Sequence, residues 1–553
     1  MSDVTTTSSP GAAVSPPAAR GPEGVPGGRD QAPARPAKAR RPRHSKPRFS
    51  SVTLFTTYLV LLLLIPSNLV FAPLGGVGTP ANIVALGILL WYVISWIVGR
   101  IVPSGAGRPV RVAIFVFGLA VLASFVAGMT RSITELESLS ADRGLILIVA
   151  FAALVVVASQ TIVSYERLDT LLRRAVVLGS VVAGIGIAEF YTGINITNYI
   201  HIPGLSPAVD INSLLDRNGF NRPSSTATQP IEFGVVMAML LPFALQQAFD
   251  PARIGRFRKW APVALLFFAI PMSLSRSGIV GLAVALLWII PTWPTQRRKP
   301  AYVVLLIGIA SLKVVAPGLI GTFAEYFGGL SGSSNSDVSI STRTADYTAA
   351  FRYIAERPLF GRGFGTFLPE LYRYIDNTYL LGLVEFGIVG VLALLIVYFA
   401  GVHCAAAGRR LTQNQQQREL GQALVASIMV AVVSSATFDA LTFPMFSGLL
   451  FLIIGCAGAY LGLMKAQAAQ TAEGLGGLAH GNGLAHGNGL AHGNGLAQGN
   501  GLAQGPGLPV YSLDTVWGPP SGAGRAPGSS RLAAPGPDSG ERSGSTQHSE
   551  GNS

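Results

Sequence analysis

The stretch WAPVALLFFAIPMSLSRSGIVGLAVALLWII (residues 260–290) decides the fold, because it joins two apolar segments through a short turn that contains Arg276. The segments predict a hairpin of two spans, near 260–274 and 277–292. An arginine at membrane depth costs ~2.5–3.5 kcal/mol even on lenient insertion scales, so such a residue normally belongs to an ion or substrate site. Arg276 is therefore the first candidate functional residue.

The rest of the chain repeats this apolar character. Of 553 residues, 50% are hydrophobic and only 12% are charged, against about 25% charged in soluble proteins. Blocks of about 20 apolar residues are long enough to cross ~30 Å of hydrocarbon. The sequence predicts an all-α polytopic membrane protein with about 12 transmembrane helices. The other predicted spans lie near 52–71, 81–99, 110–129, 144–163, 171–190, 231–249, 301–320, 379–403, 419–440 and 444–464.

The distribution of basic residues predicts the topology. With the N-terminus inside, the loops that would face the cytoplasm are rich in arginine and lysine, as the positive-inside rule requires. These loops carry Arg100, Arg108, Arg167, Arg173, Arg174, Arg253, Arg256, Arg258, Lys259, Arg297, Arg298, Lys299, Arg409, Arg410 and Arg418. We therefore expect both termini in the cytoplasm.

Two tails flank the predicted membrane domain of residues 49–465. Residues 1–48 are basic and rich in Ala, Pro, Gly and Ser, and residues 466–553 contain Leu-Ala-His-Gly-Asn-Gly repeats. Neither composition can bury a core, so both tails are expected to be disordered. The net charge of +13 lies largely in the N-terminal tail and the short loops, which favours contact with membrane lipid and argues against nucleic acid.

Two long loops are predicted on the outer side, at about 191–230 and 321–378, and loops of this length are commonly functional. Ser341 or Thr342 could cap a helix that ends at Arg357, before Pro358. Tyr347, Phe351 and Ile354 would share one face of this helix, which predicts a helix that lies on the membrane surface.

Arginines on the outer side break the charge rule. The planar guanidinium grips phosphate through two parallel hydrogen bonds, so the set predicts an anionic, phosphorylated ligand. Solvated loop charge is the alternative, and it applies most directly to Arg352, Arg357 and Arg373. The set comprises Arg217, Arg222, Arg276, Arg343, Arg352, Arg357, Arg362 and Arg373.

Carboxylates near span ends form a second set. Each of them could act as a general base or could serve as a structural partner of the arginines. Glu385 is predicted about two turns into its span. No P-loop, Asp-x-Asp pair or His-Glu-x-x-His motif is present, and Gly361-Arg-Gly-Phe-Gly365 has the wrong spacing for a phosphate loop. The carboxylates are Glu189, Glu232, Asp376, Glu385 and Asp439.

Several of these motifs resemble a known family. Arg343, Arg357-Pro-Leu-Phe-Gly-Arg-Gly-Phe-Gly365, Asp376-Asn-Thr-Tyr-Leu380 and Glu385-Phe-Gly387 resemble the domain shared by O-antigen ligases and Wzy-type polysaccharide polymerases. Arg222-Pro-Ser-Ser and Ser275-Arg-Ser-Gly278 are similar to its upstream arginine motifs. The resemblance covers about 190–400 by motif and about 52–464 by span layout.

The resemblance implies an inverting, metal-independent glycosyltransferase without a cofactor, in the bacterial cytoplasmic membrane. It would transfer a glycan from a polyprenyl diphosphate to an acceptor hydroxyl on the outer side, with a flippase and a chain-length regulator as partners. Arg222, Arg276 and Arg343 would bind the diphosphate, and Asp376 and Arg276 would be catalytic. Asn377, Tyr379, Glu385, Arg362 and Glu232 would support them.

One departure selects among the activities of the family. Its ligases typically have His-Asn where this chain has Asp376-Asn377, which favours a polymerase that joins lipid-linked repeat units. A ligase that transfers finished glycan to a lipid, wall polymer or protein is the first alternative. A polysaccharide transporter or flippase is the second, although the two halves of the chain do not match as transporter repeats often do.

Overall fold

A computed structural model describes residues 51–101, 105, 107–208, 215–217, 220–251, 255–315 and 349–483. For 215–217, 308–309, 311–315 and 474–483 it describes the backbone alone. The N-terminal tail, most of the C-terminal tail and the segment 316–348 lie outside the described residues.

The described chain is almost entirely helical. The helices are α1 (Ser51–Leu64), α2 (Pro80–Ile97), α3 (Arg108–Met129), α4 (Glu135–Thr161), α5 (Tyr165–Thr192), α6 (Pro230–Ala248), α7 (Arg256–Met272), α8 (Arg276–Ile289), α9 (Thr295–Val315), α10 (349–356 of its described part), α11 (Thr378–Glu385), α12 (Gly387–Leu411), α13 (Gln415–Ser434) and α14 (Pro444–Gly483). Short 3-10 helices cover Ala72–Val77, Ile196–Tyr199, Ile290–Thr292 and Ala440–Thr442.

Two small antiparallel ribbons complete the fold. Strand β1 (Leu69–Val70) pairs with β2 (Ser206–Pro207), and β3 (Leu215–Arg217) pairs with β4 (Phe220–Arg222). Both ribbons include residues of the first long loop, so this loop has defined backbone structure next to the helix ends.

The all-α membrane class is confirmed, whereas the count of twelve spans stays a prediction. Each predicted span overlaps a helix, but by length and composition seven helices of the described residues could cross a membrane: α2 to α6, α12 and α14. Helix α1 and the segment Arg276–Thr292 are apolar but shorter.

The predicted single span at 379–403 is wrong in one respect, because the structure divides it into α11 and α12. The chain breaks at Phe386, and Gly387 has a φ of +65°. A side chain at Gly387 would also collide with the backbone, since an added Cβ would lie 2.3 Å from the Leu359 carbonyl oxygen. Glu385 therefore ends a short helix and does not lie two turns inside a span.

The second long loop is described from residue 349 onward. Ser341, Thr342, Arg343 and Tyr347 lie outside the described residues. Helix α10 ends at 356, within one residue of the predicted end at Arg357.

The predicted apolar face of this helix differs in detail. Ala350, Tyr353 and Ile354 pack against a cluster with Phe367, whereas Phe351 is 61% exposed. At the C-terminus, α14 extends past the predicted domain boundary at 465.

Helices α6 and α14 form the centre of the bundle. Of their most apolar windows, 94% and 89% are buried, against 28% for α2 and 39% for α3. A helix that is apolar on all sides is stable only where neighbours cover it, whereas α2 and α3 keep apolar faces for lipid.

The loops predicted to be cytoplasmic meet at one end of the bundle. Arg297, in the first turn of α9, bonds to Glu419 of α13 at 2.8 Å, and Gln416 of α13 donates to Asp250 after α6 at 2.7 Å. The loops predicted to be outside meet at the other end, which holds the arginine motifs.

Candidate functional site

The end of the bundle that is predicted to be outside brings distant motifs together through hydrogen bonds between helix ends. The Glu232 carboxylate in the first turn of α6 accepts the N–H of Met445, in the first turn of α14, at 2.7 Å. The N–H of Thr378, which begins α11, donates to the carbonyl of Ser435, after α13, at 2.9 Å. The candidate residues from four parts of the chain therefore share one region.

Arg276 is the first residue of α8 and is partly buried. The Ser275 side chain caps the helix by accepting the N–H of Gly278 at 3.3 Å. The residue before the cap, Leu274, is buried with a φ of +49°, a conformation that costs a non-glycine residue ~1–3 kcal/mol. The turn holds Arg276 where the helix N-terminus already attracts anions.

Arg222 ends strand β4 and is also partly buried. Three residues later, Ser225 has a φ of +51°, and its backbone N–H donates to the Glu189 carboxylate at 2.8 Å. Its hydroxyl donates to the Val182 carbonyl at 2.9 Å. Glu189 therefore serves as a structural partner that fixes the loop.

Ser225 and Leu274 are the two non-glycine residues with positive φ in the described part of the chain. One follows Arg222 and the other precedes Arg276. Strained backbone persists only where the surrounding structure enforces it, and it concentrates at ligand sites. This coincidence supports both arginine motifs as one site.

An apolar cluster ties these two motifs together. Leu274 packs with Phe190 and Met272, and Phe220 of β4 packs against the same cluster. The rings of Phe190 and Phe220 stack at 6.0 Å. Phe220 precedes Arg222 by two positions and Leu274 precedes Arg276 by two, so the cluster holds both arginines to one region.

Helices α6 and α8 run in parallel and point their N-termini to this region. Gly234 faces Gly278, where an added Cβ would lie 3.2 Å from the Gly234 Cα, and Ala238 faces Gly281 one turn further on. Small residues allow this close approach. The positive ends of both helix dipoles therefore reinforce the charge of Arg276.

Glu232, predicted to support the site, has a structural environment. Its side chain is fully buried and accepts N–H groups from Thr228 at 2.8 Å, Met445 at 2.7 Å and Phe446 at 3.1 Å. It thereby joins the first turns of α6 and α14.

The Asp376-Asn-Thr-Tyr motif forms the start of α11. Asn377 caps the helix by accepting the N–H groups of Tyr379 and Leu380 at 2.9 and 3.1 Å. The Tyr379 hydroxyl donates to the Val432 carbonyl at 2.7 Å. Asp376 itself is exposed, so the motif fixes the helix start and leaves this carboxylate in solvent.

The glycine-rich segment is a tight backbone crossing. Gly361 has a φ of +69°, and a Cβ there would lie 2.3 Å from the Glu385 carbonyl oxygen. That carbonyl accepts the N–H of Gly363 at 2.9 Å, and the buried Glu385 carboxylate accepts the N–H of Phe367 at 3.2 Å. These glycines allow close packing of the backbone, which agrees with the prediction that the segment is not a phosphate loop.

Arg362 belongs to a network that anchors the second loop. Its guanidinium donates to the Tyr372 hydroxyl at 3.0 Å, pairs with Glu356 at 3.3 Å and lies 5.0 Å from the ring centroid of Tyr353. The Tyr372 hydroxyl in turn donates to Glu137 of α4 at 2.9 Å. A structural role accounts for these contacts.

A cavity of about 320 Å³, with several polar and charged side chains in a largely apolar lining, lies beside these motifs. It contains Arg143 of α4, which the candidate sets from the sequence leave out, and Asp439, which the sequence places only among the acidic residues near span ends and which precedes the 3-10 helix before α14. Arg143 lies in the third turn of α4, but the predicted spans 110–129 and 144–163 put it in a short outer loop, so the charge rule could have found it. The lining also includes Thr378, Glu385, Arg373, Tyr374 and Thr442.

Asp439 is an acidic group of this cavity whose pKa is raised by its surroundings. Burial, and then the negative charge of Asp376, raise the pKa of Asp439 to about 6. Its carboxylate accepts the Thr442 hydroxyl at 2.7 Å. A larger groove, of about 1060 Å³, lies at the opposite end of the bundle among mainly apolar residues, away from the predicted site residues.

The side chains of two predicted site arginines lie outside the described part of the structure. Arg343 lies outside the described residues, and the side chain of Arg217 is not described. The described residues therefore unite Arg222 with Arg276, and Asp376 with Asp439, around the same end of the bundle.

Comparison with known proteins agrees with this arrangement. No curated protein matches the chain. Residues 261–395, from α7 to the first turns of α12, match the family model described as O-Antigen ligase. This segment contains Arg276, the second long loop and Asp376, and the match supports the resemblance to the O-antigen ligase and Wzy-type polymerase family.

Proposed function

We propose that this protein is a glycan polymerase that joins polyprenyl-diphosphate-linked oligosaccharide repeat units on the outer side of the cytoplasmic membrane. The main support is the joint arrangement of Arg276, at the N-terminus of α8, and Arg222, in the segment before the parallel helix α6, each within three residues of a strained residue. Fixed positive charge of this kind fits a diphosphate that must leave with its negative charge.

The reaction needs little else from the protein. The acceptor hydroxyl oxygen attacks the anomeric carbon of the donor sugar, the bond from that carbon to the phosphate oxygen breaks, and the electron pair leaves with the diphosphate. Arg222 and Arg276, together with Arg343 from the second loop, would bind this leaving group. Each charge-assisted hydrogen bond contributes ~1.5–3 kcal/mol, and arginine supplies the positive charge without a metal ion.

The hydroxyl proton needs a carboxylate near the acceptor. Asp376 remains a proposed member of the catalytic site, and it lies close enough to Asp439 to raise the pKa of the latter. Asn377 and Tyr379 would hold the start of α11, whereas Glu232, Glu385 and Arg362 would keep the surrounding backbone in place.

A deletion strain tests the proposal. Loss of the polymerase should abolish long surface or secreted polysaccharide and leave single repeats on their lipid carrier, and the intact gene should restore the polymer. Polymer of normal length in the deletion strain would contradict the proposal.

Ligation is the second candidate, because the matching family model is described as O-Antigen ligase. A ligase transfers finished glycan, so its deletion should leave long polymer attached to the polyprenyl carrier and absent from the final acceptor. Gel analysis of the lipid-linked fraction separates the two activities: single repeats support a polymerase, and long chains support a ligase.

A further inference from the structure

The cavity of about 320 Å³ has the composition of a saccharide site. The Asp439 carboxylate can accept hydrogen bonds from sugar hydroxyls, and the guanidinium groups of Arg143 and Arg373 can donate to sugar oxygens. Tyr374 also lines the cavity and is 72% exposed, so its ring can cover the apolar face of a sugar. A few convergent polar groups beside an aromatic wall are typical of small-ligand sites.

The position of the cavity relates it to the arginines. Thr378 lines it and bonds to the backbone of Ser435 and Phe438, next to Ser434 of α13. Ser434 in turn lies against Gly281 of α8, one turn beyond Arg276. The C-terminal turn of α13 therefore lies between the cavity and the helix that carries Arg276.

We propose that this cavity holds the terminal sugar of the acceptor glycan and that Asp439 accepts the proton of the attacking hydroxyl. The inference rests on the proposed function. As the new bond forms between the hydroxyl oxygen and the anomeric carbon, the proton moves to the Asp439 carboxylate and the electron pair of the broken bond moves to the diphosphate.

The two neighbouring aspartates then have different roles. Asp376 is exposed and is not among the described residues that line the cavity, so it acts through its charge. Asp439 is partly buried, lines the cavity and is positioned by Thr442. A general base works best when its pKa approaches the working pH, and burial together with Asp376 moves Asp439 in that direction.

The test uses membranes from the deletion strain that contain accumulated lipid-linked repeats, mixed with purified full-length protein. We expect Asp439→Asn to lower the rate of polymer formation by at least ~100-fold, the range of general acid–base catalysis. Asp439→Glu should retain part of the activity. Protein level and a single peak in size exclusion establish that each variant is folded.

The pH profile gives a readout that a purely structural role would not change. The wild-type rate should fall as the pH drops through about 6, where Asp439 becomes protonated. The charged groups around it are Asp376, Glu385, Arg143 and Arg373. Asp376→Asn removes one negative neighbour and so lowers the pKa of Asp439. The fall in rate on the acidic side of the pH profile, here called the acidic limb, should therefore move to lower pH. The exposed Glu370 is the matched control, and Glu370→Gln should leave the limb in place.

A second variant tests the sugar site without altering the base. Tyr374→Ala removes an exposed ring, so the variant should fold normally. Because Asp439 is unchanged, the acidic limb of its pH profile should match that of the wild type. Free repeat-unit oligosaccharide, released from the strain's own polysaccharide, is titrated as the acceptor at a fixed lipid-linked repeat concentration that is too low to saturate the acceptor site. The Tyr374→Ala protein should need at least ~10-fold more of it to intercept transfer, equivalent to a loss of ~1.4 kcal/mol.

The outcomes separate this inference from the proposed function. Normal activity in Asp439→Asn together with loss of activity in Arg276→Ala would overturn the role of Asp439 and keep the polymerase. Normal activity in both variants would overturn the role of Asp439 and the proposed diphosphate site as well. An unchanged oligosaccharide requirement in Tyr374→Ala would overturn the sugar site.

Discussion

Arg276, Arg357 and Arg362 carry the same charge at the same end of the bundle, the end predicted to be outside, but have different surroundings. Arg357 donates to the Ala127 carbonyl at 2.8 Å and to the Thr130 hydroxyl at 3.2 Å, which joins the second loop to α3. Arg362 is held by the Tyr372 network. Arg276 begins a helix after a strained residue. Outer arginines alone therefore do not define the site, and their partners distinguish anchors from proposed ligand contacts.

Replacement of Arg276 tests the diphosphate proposal at this scale. We expect Arg276→Ala to lower the rate of polymer formation by ~100-fold, since two charge-assisted hydrogen bonds at ~1.5 kcal/mol each would be lost. Arg276→Lys keeps the charge but not the planar fork, so its rate should lie between alanine and wild type. The assay is conversion of lipid-linked repeats to polymer at matched protein level.

Arg352 provides the control, because it is exposed on α10 and the sequence favours a solvated charge there over a ligand contact. Arg352→Ala should retain wild-type activity. Equal losses in Arg276→Ala and Arg352→Ala would indicate a general effect of outer charge and would contradict a specific site.

Residue types and their order predicted the members of the site better than their roles. The charge rule found Arg222 and Arg276, and the structure joins their motifs through Phe220 and Leu274. The cavity position of Asp439 depends on the packing of α4, α11 and the segment before α14, which no local pattern specifies. Sequence reasoning therefore placed Asp439 among the acidic residues without distinguishing it from its neighbours.

At the scale of elements, the break between α11 and α12 shows what hydropathy cannot predict. Residues 379–403 are mainly apolar, with Glu385 and the terminal His403 as the exceptions that can carry charge, so an average over the segment predicts one helix. The break follows from tertiary contacts: the Ile388 N–H donates to the Pro358 carbonyl at 2.9 Å, and the Val389 N–H donates to the Leu359 carbonyl at 3.2 Å.

Gly387→Ala should disrupt this crossing. The residue needs a positive φ, which costs an L-residue ~1–3 kcal/mol, and its Cβ would lie 2.3 Å from the Leu359 oxygen. We expect a lower thermal midpoint in detergent and faster proteolysis of the second loop. Gly118→Ala in α3 is the control, since its Cβ meets nothing within 4 Å. Equal midpoints for the two variants would contradict the proposed crossing.

Glu232→Gln tests the junction between α6 and α14. The carboxylate accepts three backbone N–H groups with two oxygens, whereas an amide offers one oxygen and an NH₂ group that cannot accept. At least one buried N–H would lose its partner, at a cost of ~1–3 kcal/mol. Thermal unfolding in detergent should show this loss.

Gln229, three positions before Glu232, provides the control, because it precedes α6 and its side chain makes no capping hydrogen bond. Gln229→Ala should unfold at the wild-type temperature. A wild-type midpoint for Glu232→Gln would show that the carboxylate does not stabilise the junction.

At the scale of the whole molecule, hydropathy and charge predicted an all-α membrane protein with most helices in their observed positions. Those signals are local, since each span must satisfy its own backbone hydrogen bonds and bury or expose its own side chains. The central positions of α6 and α14 depend on the packing of the whole bundle, and the only local sign of them is small residues at close contacts, such as Gly234 of α6 and Gly455 of α14. The predicted orientation in the membrane depends on the charge rule and needs a direct test.

Accessibility of single cysteines provides that test. Cys404 and Cys456 are buried, so the wild-type protein should react weakly with a membrane-impermeant maleimide. Tyr199 and Phe257 are 75% and 83% exposed and lie at opposite ends of the bundle. In spheroplasts, Tyr199→Cys should be labelled at once, and Phe257→Cys only after the membrane is permeabilised. The reverse pattern would put Arg222 and Arg276 in the cytoplasm, where outer-side polymerisation could not use them.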